Sequence, residues 1–274
     1  MEVSNFGVFT FITNYMFLID THSHIYLDNF DNDRQIAIDR ALQENVKIIL
    51  LPNIDSGSIK KVLDLASKNE GICYPMLGLH PTSIKENYKE ELDIIEKAIS
   101  LHKIIAVGEI GLDLYWDKSF INQQIEALEK QINIANNHKL PIVLHVRDAF
   151  NHIFDVIESN KNDEKGVFHC FSGKLDDAIR AVDLGYYLGI GGPVSYKNSI
   201  LPSIIKEIGI NKIILETDSP YLSPMPYRGK RNEPANIKII ANTISEILGI
   251  TIDEVARITT NNALKLFDIE NKQA

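Results

Sequence analysis

The feature that most constrains the fold of this 274-residue chain is a regular alternation of short apolar runs with amphipathic segments. Eight runs have the composition of buried strands: FLID (17–20), KIILL (47–51), YPMLGL (74–79), IIAVGE (104–109), PIVLHV (141–146), GVFHCF (166–171), GYYLGIG (185–191) and KIILETD (212–218). Most of them are continuously apolar rather than alternating. This pattern is typical of parallel strands that are covered on both faces.

The segments between these runs have the spacing of helices. INQQIEALEKQINIA (121–135) repeats apolar residues at helical intervals. KLDDAIRAVDLG (174–185) and PANIKIIANTISEILG (234–249) both end in glycine, which commonly follows the last residue of a helix. Thr251 and Glu254 have the spacing of a capping box that opens a last helix. Eight strand–helix pairs in one chain predict a (β/α)8 barrel of the TIM type, with a doubly wound open sheet as the alternative.

We expect a single domain from residue 16 to residue 274, because the sequence contains no low-complexity linker. Residues 1–15 are apolar and aromatic but lack the Lys or Arg with which a secretory signal begins. They are also too short to span a bilayer. We interpret them as an extension, either upstream of a native start at Met16 or docked as an additional strand. The two cysteines, Cys73 and Cys170, form no disulfide framework, which is consistent with a reducing compartment and predicts no disulfide-linked partner. No other segment has the character of a membrane span, so we expect a cytoplasmic protein without a membrane partner.

Residues with metal-binding chemistry collect where the predicted strands end, and barrel enzymes keep their active sites at those ends. The set comprises His22 and His24 after the first run, His80 at the end of the third, Glu109 at the end of the fourth, His145 and His169 near the ends of the fifth and sixth, and Asp218 at the end of the eighth. His22 and His24 are two residues apart, so in an extended strand they share a face. His102, His138 and His152 fall in or beside predicted helices, where a solvated histidine is expected.

Four histidines (His22, His24, His145 and His169) and two carboxylates (Glu109 and Asp218) form a mixed nitrogen and oxygen ligand set. Such a set suits Zn²⁺, Mn²⁺ or Co²⁺, and Mg²⁺ is less natural beside imidazole. Six ligands exceed what one catalytic ion uses, because such an ion keeps a position open for water. We therefore expect two divalent metal ions that share Glu109 as a bridging carboxylate. Two ions can activate water and clamp a phosphoryl or carbonyl oxygen.

Six motifs in a fixed order extend this hypothesis. DTHSH, GLHP, GEIGLD, LHVRD, HCFSG and ETDSPYLSP…RGKRNEP together resemble the TatD family of metal-dependent hydrolases, which is related to the amidohydrolase superfamily. The resemblance covers nearly the whole chain and implies a (β/α)8 barrel. It implies that His22 and His24 bind one ion, that His145 and His169 bind the second, that Glu109 bridges the two and that Asp218 completes the site. It also implies deoxyribonuclease activity, often from a DNA end.

For a phosphodiester hydrolase of this kind, two residues are expected to act on the reacting groups. Asp218 would take a proton from the attacking water while also contacting a metal ion. His80 would hydrogen-bond a non-bridging phosphate oxygen as charge develops on it. Arg147 lies two residues past His145 and shares its face, which predicts a phosphate contact, and pairing with Asp148 is its structural alternative.

The segment after the eighth run contains a compact basic cluster of Arg228, Lys230 and Arg231. The chain carries a net charge of −9, so it is a poor general binder of polyanions, and nucleic-acid contacts require a local basic patch of this kind. We expect DNA phosphates here, with RNA as the alternative substrate and a loop held by ion pairs as the structural alternative. Tyr115 and Trp116, just after GEIGLD, would either stack on an exposed base or cover the barrel rim.

Two other functions fit parts of the sequence. A hydrolase of small amides, lactones or cyclic imides on the same barrel often uses a carbamylated lysine at the fourth strand, whereas this chain has Glu109 there. The basic cluster also favours a phosphate substrate over a neutral amide. The alternative from another class is a noncatalytic metal-binding scaffold, and the presence of both acidic and basic ligand types argues against it.

Overall fold

The computed structural model describes residues 17–160 and 165–269, so the extension inferred for residues 1–15 lies outside the described residues. The described part of the chain contains eight strands. They are β1 (Leu18–Asp20), β2 (Val46–Pro52), β3 (Cys73–Met76), β4 (Val107–Asp113), β5 (Ile142–Arg147), β6 (Gly166–Phe168), β7 (Tyr187–Ile190) and β8 (Ile213–Leu215). Each corresponds to one of the eight apolar runs.

A helix follows each strand, and two helices follow β8. The helices are α1 (Arg34–Gln43), α2 (Ile59–Lys68), α3 (Tyr88–Leu101), α4 (Ile121–His138), α5 (Phe150–Ser159), α6 (Leu175–Asp183), α7 (Leu201–Ile208), α8 (Ile237–Leu248) and α9 (Ile252–Phe267). The sequence predicted α4 from the spacing of its apolar residues, α6 and α8 from the glycines that end them, and α9 from its capping box. Within the described ranges, none of these helices combines the length and the apolar composition needed to cross a membrane.

The strands are parallel and run in sequence order around a closed barrel. Hydrogen-bonded ladders join neighbouring strands in two groups, one in the order β1-β2-β3 and the other in the order β4-β5-β6-β7-β8. A bridge between Leu77 and Val107 connects these two groups, and a bridge between Ser23 and Ser219 connects the first strand to the last. Thr21 N also donates to Leu215 O at 3.0 Å across that seam. Because the first and last strands meet, the predicted (β/α)8 barrel is confirmed and the open sheet is excluded.

The hydrophobic core has two parts. The larger part lies between the strands and the surrounding helices, and the smaller includes Ile19 of β1, Leu50 of β2, Val143 of β5 and Ile214 of β8. Phe267 of α9 is fully buried in this smaller part. Burying apolar side chains of this size against both faces of the strands is the dominant favourable contribution to folding.

Helix α9 closes the end of the barrel at which the strands begin. Thr260 Oγ1 donates to Phe17 O just before β1, at 2.6 Å. Asn262 Nδ2 donates to Ile213 O at the first residue of β8, at 2.8 Å. With α9 across this end, the described residues leave the opposite end, where the strands finish, open for a site.

The fourth strand differs from its prediction. The apolar run predicted a strand ending at Glu109, but β4 extends from Val107 to Asp113, so Glu109 lies inside it. Gly108 pairs with Val143 and Ile110 with Leu144, which leaves Glu109 as an extra residue in a bulge. Gly111 follows with φ +146°, where a Cβ would lie 2.0 Å from His145 O, so the strand requires glycine here. Sequence composition did not indicate this bulge.

Other boundaries also shift by a few residues. His80 and Asp218 were expected at the ends of the third and eighth strands. Both lie in loops instead, His80 after β3 ends at Met76 and Asp218 after β8 ends at Leu215. Thr251 Oγ1 accepts from Glu254 N at 3.2 Å, which confirms the predicted start of α9. These shifts leave every predicted ligand on the same end of the barrel.

Candidate metal centre

His22 and His24 lie just past the end of β1, on a segment that pairs with the chain after β8. Ser23 N donates to Leu50 O at 3.0 Å, which keeps this segment extended. The Ser23 and Ser219 hydroxyl oxygens are 2.6 Å apart, so Ser23 points away from the two imidazoles, as its position in an extended chain predicted. His22 and His24 therefore face the barrel axis together.

The two imidazoles converge on one another and on two carboxylates. His22 Nε2 lies 3.2 Å from His24 Nε2 and 3.1 Å from Glu109 Oε2. Asp218 Oδ1 lies 3.6 Å from His24 Nε2 and 4.0 Å from His22 Nε2. Four predicted ligands from β1, β4 and the loop after β8 thus surround one point.

A second group of imidazoles surrounds the other oxygen of Glu109. His145 Nδ1 lies 2.8 Å from Glu109 Oε1, and His169 Nε2 lies 3.6 Å from the same atom. His80 Nε2 lies 3.3 Å from it. Glu109 therefore stands between two imidazole groups, with one oxygen toward each. All six predicted ligands and His80 are together at one end of the barrel.

The separations in this cluster fit a metal centre. Two atoms that bind one ion at 2.0–2.1 Å with tetrahedral geometry lie about 3.3 Å apart. The nitrogen and oxygen atoms of the cluster lie between 2.8 and 4.0 Å apart. Groups of three ligands within reach of one another include His22, His24 and Glu109, and separately His80, Glu109 and His145. The donor set and its spacing both suit divalent transition-metal ions.

Two carboxylates and a phenol lie close to the second ring nitrogen of three of the imidazoles. His145 Nε2 lies 2.9 Å from Asp113 Oδ2, and His169 Nδ1 lies 3.0 Å from Glu216 Oε1. His24 Nδ1 lies 3.1 Å from Tyr26 Oη. Such partners fix the orientation of a metal-binding imidazole and raise its basicity. Asp113, Glu216 and Tyr26 were not among the predicted site residues, although Asp113 lies in the GEIGLD motif and Glu216 in the ETDSP motif.

Burial and charge set the protonation of the cluster. Burial alone would raise the pKa of Glu109, but His80, His169 and His22 outweigh burial and hold this pKa well below its usual range. Burial and the neighbouring His169 lower the pKa of His22 well below its usual range. His22 is therefore neutral, and a neutral imidazole beside an ionised carboxylate is the state that binds a metal ion.

The imidazole of His80 has a defined tautomer. Its Nδ1 accepts from Thr82 N at 3.1 Å, so the proton of the neutral ring is on Nε2. Burial lowers the pKa of His80, which keeps the ring neutral. The Nε2–H group thus faces the cluster as a hydrogen-bond donor.

Asp218 is positioned by a network of buried hydrogen bonds. Asp218 N donates to His22 O at 2.9 Å. Asn232, which is 0% exposed, donates from Nδ2 to Thr217 O at 2.8 Å and to Tyr221 O at 2.7 Å, on either side of Asp218. Asp20 accepts from Thr217 N at 2.8 Å. Burial raises the pKa of Asp218 to about 6.

A cavity of about 650 Å³ opens above the cluster. Its walls include Glu109, His80 and Asp218 at the base and Arg147 and Trp116 on one side. Volumes of this order are typical of ligand pockets. The Arg147 guanidinium lies 3.6 Å from the centre of the Tyr115 ring, a stacking arrangement rather than the expected alternative of an ion pair with Asp148.

The basic cluster after β8 does not line this cavity. Arg231 donates from Nη1 and Nη2 to the two carboxylate oxygens of Asp33, at 2.7 and 2.6 Å, so its charge is already paired. The Arg228 guanidinium lies 4.5 Å from the centre of the Tyr196 ring, and Lys230 Nζ lies 5.8 Å from that of Tyr227. Of the four basic residues that were predicted to bind phosphate, Arg147 is therefore the one that lies beside the cluster.

Comparisons with known proteins agree with this arrangement. The sequence model of a family described as TatD related DNase matches residues 19–268. The chain belongs to the TatD family. The metal-dependent hydrolase YabD of Bacillus subtilis (strain 168) is 37% identical over 254 residues, which cover 92% of this chain and 99% of that protein. This membership confirms the resemblance drawn from the six motifs.

Two further TatD relatives match over similar lengths. The human deoxyribonuclease TATDN3 is 32% identical over 262 residues, covering 91% of this chain and 94% of that protein. The crystal structure of the TatD homologue YjjV from Escherichia coli K12 superposes with a TM-score of 0.87 at 31% identity, covering 94% of this chain and 99% of that one. The chain is thus a metal-dependent hydrolase with a divalent-metal cofactor, as the ligand set predicted.

Proposed function

We propose that this TatD hydrolase cleaves phosphodiester bonds of DNA, acting from the ends of the strand, with two divalent metal ions. The observation that carries the proposal is the position of Glu109, with an imidazole group on each oxygen, at the base of a cavity lined by Arg147. A human relative is named as a deoxyribonuclease, which supports the choice of DNA over a small amide.

The ligands divide into two groups that share Glu109. In the proposal, His22 and His24 with Asp218 would hold one ion, and His145 with His169 would hold the other. When bound, divalent ions lower the pKa of water and neutralise charge on a phosphate. Because Glu109 is buried and ionised, it balances charge on both sides of the centre.

Two residues of the chain act on the reacting groups. Asp218 directs Oδ1 toward His24 and lies at the base of the cavity, so its carboxylate is placed to accept a proton from water. His80 presents Nε2–H on the same surface, and this group can donate to a non-bridging phosphate oxygen. Both groups become more effective when substrate excludes bulk water from the cavity.

Substrate binding in this proposal depends first on Arg147. Stacking on Tyr115 orients the guanidinium plane and leaves its N–H edge available for phosphate. Arg228 and Lys230 are farther from the cluster and would contact phosphates outside the cavity. Arg231, already paired with Asp33, contributes to this loop mainly as an anchor.

The experiment is digestion of end-labelled single-stranded DNA, duplex DNA and a closed circular single strand, with Mn²⁺ or Mg²⁺ added. We expect loss of nucleotides from the linear substrates and none from the circle. Cleavage of the circle would contradict the action from ends. Failure to cleave any DNA would reject the proposal and favour a small-molecule amide or ester substrate.

The Asp218→Asn variant makes the same assay specific for this site. It should abolish hydrolysis while the fold is retained, because an amide neither accepts a proton nor balances a cation as a carboxylate does. Asp183→Asn is the matched control, since Asp183 is exposed at the end of α6. Near-full activity of the Asp218 variant would remove the assigned role.

A further inference from the structure

Trp116 is the most exposed large apolar side chain in the part of the chain that the structure describes. It is 70% exposed, although tryptophan normally buries most of its surface. Its position just after β4 places it on the wall of the cavity that contains Glu109 and His80. A ring that covered the barrel rim would be buried, so the exposure of Trp116 excludes that structural role.

The surroundings of Trp116 leave one side of the ring available. On one side it borders a crevice of about 40 Å³ beside Phe120, which is too small for a base. On the other side it borders the cavity of about 650 Å³. The neighbouring Tyr115 meets it edge to face at 4.9 Å, but Arg147 already covers the ring of Tyr115. Among the described residues that line the cavity, Trp116 and Tyr221 both carry exposed aromatic rings, and Trp116 is the more exposed of the two, at 70% against 50%.

We propose that Trp116 is a stacking platform for an unpaired nucleobase that flanks the scissile phosphodiester. The proposal rests on the proposed function and adds a binding subsite to it. Arg147 lies 5.4 Å from the Trp116 ring centre, so a phosphate held by Arg147 and a base on Trp116 belong to adjacent positions of one strand. A charged contact and an aromatic surface side by side are the usual elements of single-strand binding.

Stacking on an aromatic ring tolerates every base, because every base has a π-face. The subsite therefore predicts dependence on the presence of a base but little dependence on its identity. It also predicts that a terminal base pair must open before its base reaches Trp116. Removing the ring by alanine substitution should weaken binding by roughly tenfold to a hundredfold.

The experiment uses the fact that Trp116 is the single tryptophan of the chain. The metal-loaded enzyme is titrated with a phosphorothioate-linked oligonucleotide that resists hydrolysis, and tryptophan emission is recorded. Binding is measured independently by the fluorescence anisotropy of a dye on the far end of the oligonucleotide. We expect emission to change with the same midpoint as the anisotropy. An oligonucleotide whose terminal residues are abasic should bind more weakly and leave emission unchanged.

The outcomes separate this inference from the proposed function. If DNA is hydrolysed and bound but the emission of Trp116 does not change, stacking is rejected and the nuclease function stands. Equal effects of abasic and intact ends would reject stacking in the same way. If no DNA is bound or hydrolysed, the proposed function fails and the subsite fails with it.

Kinetics on single-stranded DNA provide a second readout. Trp116→Ala should raise KM roughly tenfold to a hundredfold with little change in kcat, and Trp116→Phe should restore most of the affinity. Leu101→Ala is the matched control, because Leu101 is 68% exposed at the end of α3, next to the starts of the strands. An unchanged KM in Trp116→Ala would overturn the proposal.

Discussion

The two halves of the candidate metal centre are held in place by different means. In the β1/β8 half, made of His22, His24 and Asp218, backbone hydrogen bonds fix the ligands: Asp218 N donates to His22 O at 2.9 Å, and His24 N donates to Ser219 O at 2.7 Å. In the β5/β6 half, made of His145 and His169, carboxylates behind the rings orient the side chains at 2.9 and 3.0 Å.

This difference follows from where the ligands lie. The β1/β8 half consists of loop residues at the seam of the barrel, and loop backbone needs hydrogen bonds of its own to keep one conformation. In the β5/β6 half, His145 is inside β5 and His169 directly follows β6, so the ladder already fixes the backbone. Only the ring orientation is left to define there: a hydrogen bond to Asp113 defines it for His145, and the Glu216 carboxylate lies beside His169 as a charge partner.

Glu109 joins the two halves, so its removal should have the largest effect. Glu109→Ala deletes a ligand from both halves and leaves several buried imidazoles without their shared carboxylate. We expect bound metal, measured by elemental analysis, to fall from about two ions per chain to one or none. Hydrolysis should fall to the level of the metal-free protein.

The control for this change is Glu207→Ala, since Glu207 is exposed on α7. It should keep both the metal content and the activity of the original chain. If the Glu109→Ala protein still bound two ions, the two halves would bind metal independently. That result would contradict the claim that Glu109 is a ligand shared by both.

Asn232 provides a sharper test of the β1/β8 half. It is fully buried, and its two amide hydrogens satisfy Thr217 O and Tyr221 O. Asn232→Ala leaves both carbonyls unpaired, at a cost of about 2–4 kcal/mol of unfolding free energy. The melting temperature should fall by about 5–10 °C, and kcat should fall because Asp218 loses its defined position.

Asn151→Ala, on the exposed side of α5, is the corresponding control and should leave both quantities unchanged. If the melting temperature of Asn232→Ala equalled that of the original chain, the seam would not depend on this side chain. The β1/β8 half would then be positioned by its other backbone hydrogen bonds, from Asp218 N to His22 O and from His24 N to Ser219 O.

Sequence patterns predicted the barrel and the ligand types for a physical reason. Strands buried on both faces must be continuously apolar, so polar residues that end such runs, such as His22 and His145, are conspicuous. All six predicted ligands lie within one cluster. The bulge that places Glu109 inside β4 has no comparable signal, because it depends on pairing with β5 rather than on local composition.

The supporting residues were harder to predict from sequence. Asn232 and Asp113 act on atoms that are distant along the chain, and a buried polar side chain looks like any loop residue until its partners are known. Arg231 and Arg228 are close in the sequence, but Arg231 is paired with Asp33, just before α1, and nothing in the sequence around Asp33 indicates this pairing. Long-range partners are thus the part that single-sequence reasoning does not reach.

A smaller effect is expected from Asp113 in the β5/β6 half. Asp113→Ala removes the carboxylate that lies 2.9 Å from His145 Nε2. Losing a partner of this kind typically reduces metal affinity about tenfold to a hundredfold. Calorimetric titration with Mn²⁺ should therefore show one weakened site and one unchanged site. Asp113→Asn keeps an oxygen acceptor and should be milder, and equal weakening of both sites would contradict the division into halves.

The smallest effect is expected at the exposed edge of the β1/β8 half, where Arg231 binds Asp33. Hydrogen bonds from Arg231 lower the pKa of Asp33 to about 2, against about 3.9 in an unfolded chain. The ion pair therefore contributes fully above about pH 4 and is lost as pH falls toward 2. Because the pair is partly solvated, Asp33→Asn should cost only about 0.5–1 kcal/mol at pH 7, measured by urea unfolding. The difference from the original chain should shrink as pH falls from 4 to 2, and a difference that grew with acid would show that Asp33 stabilises the edge without its charge.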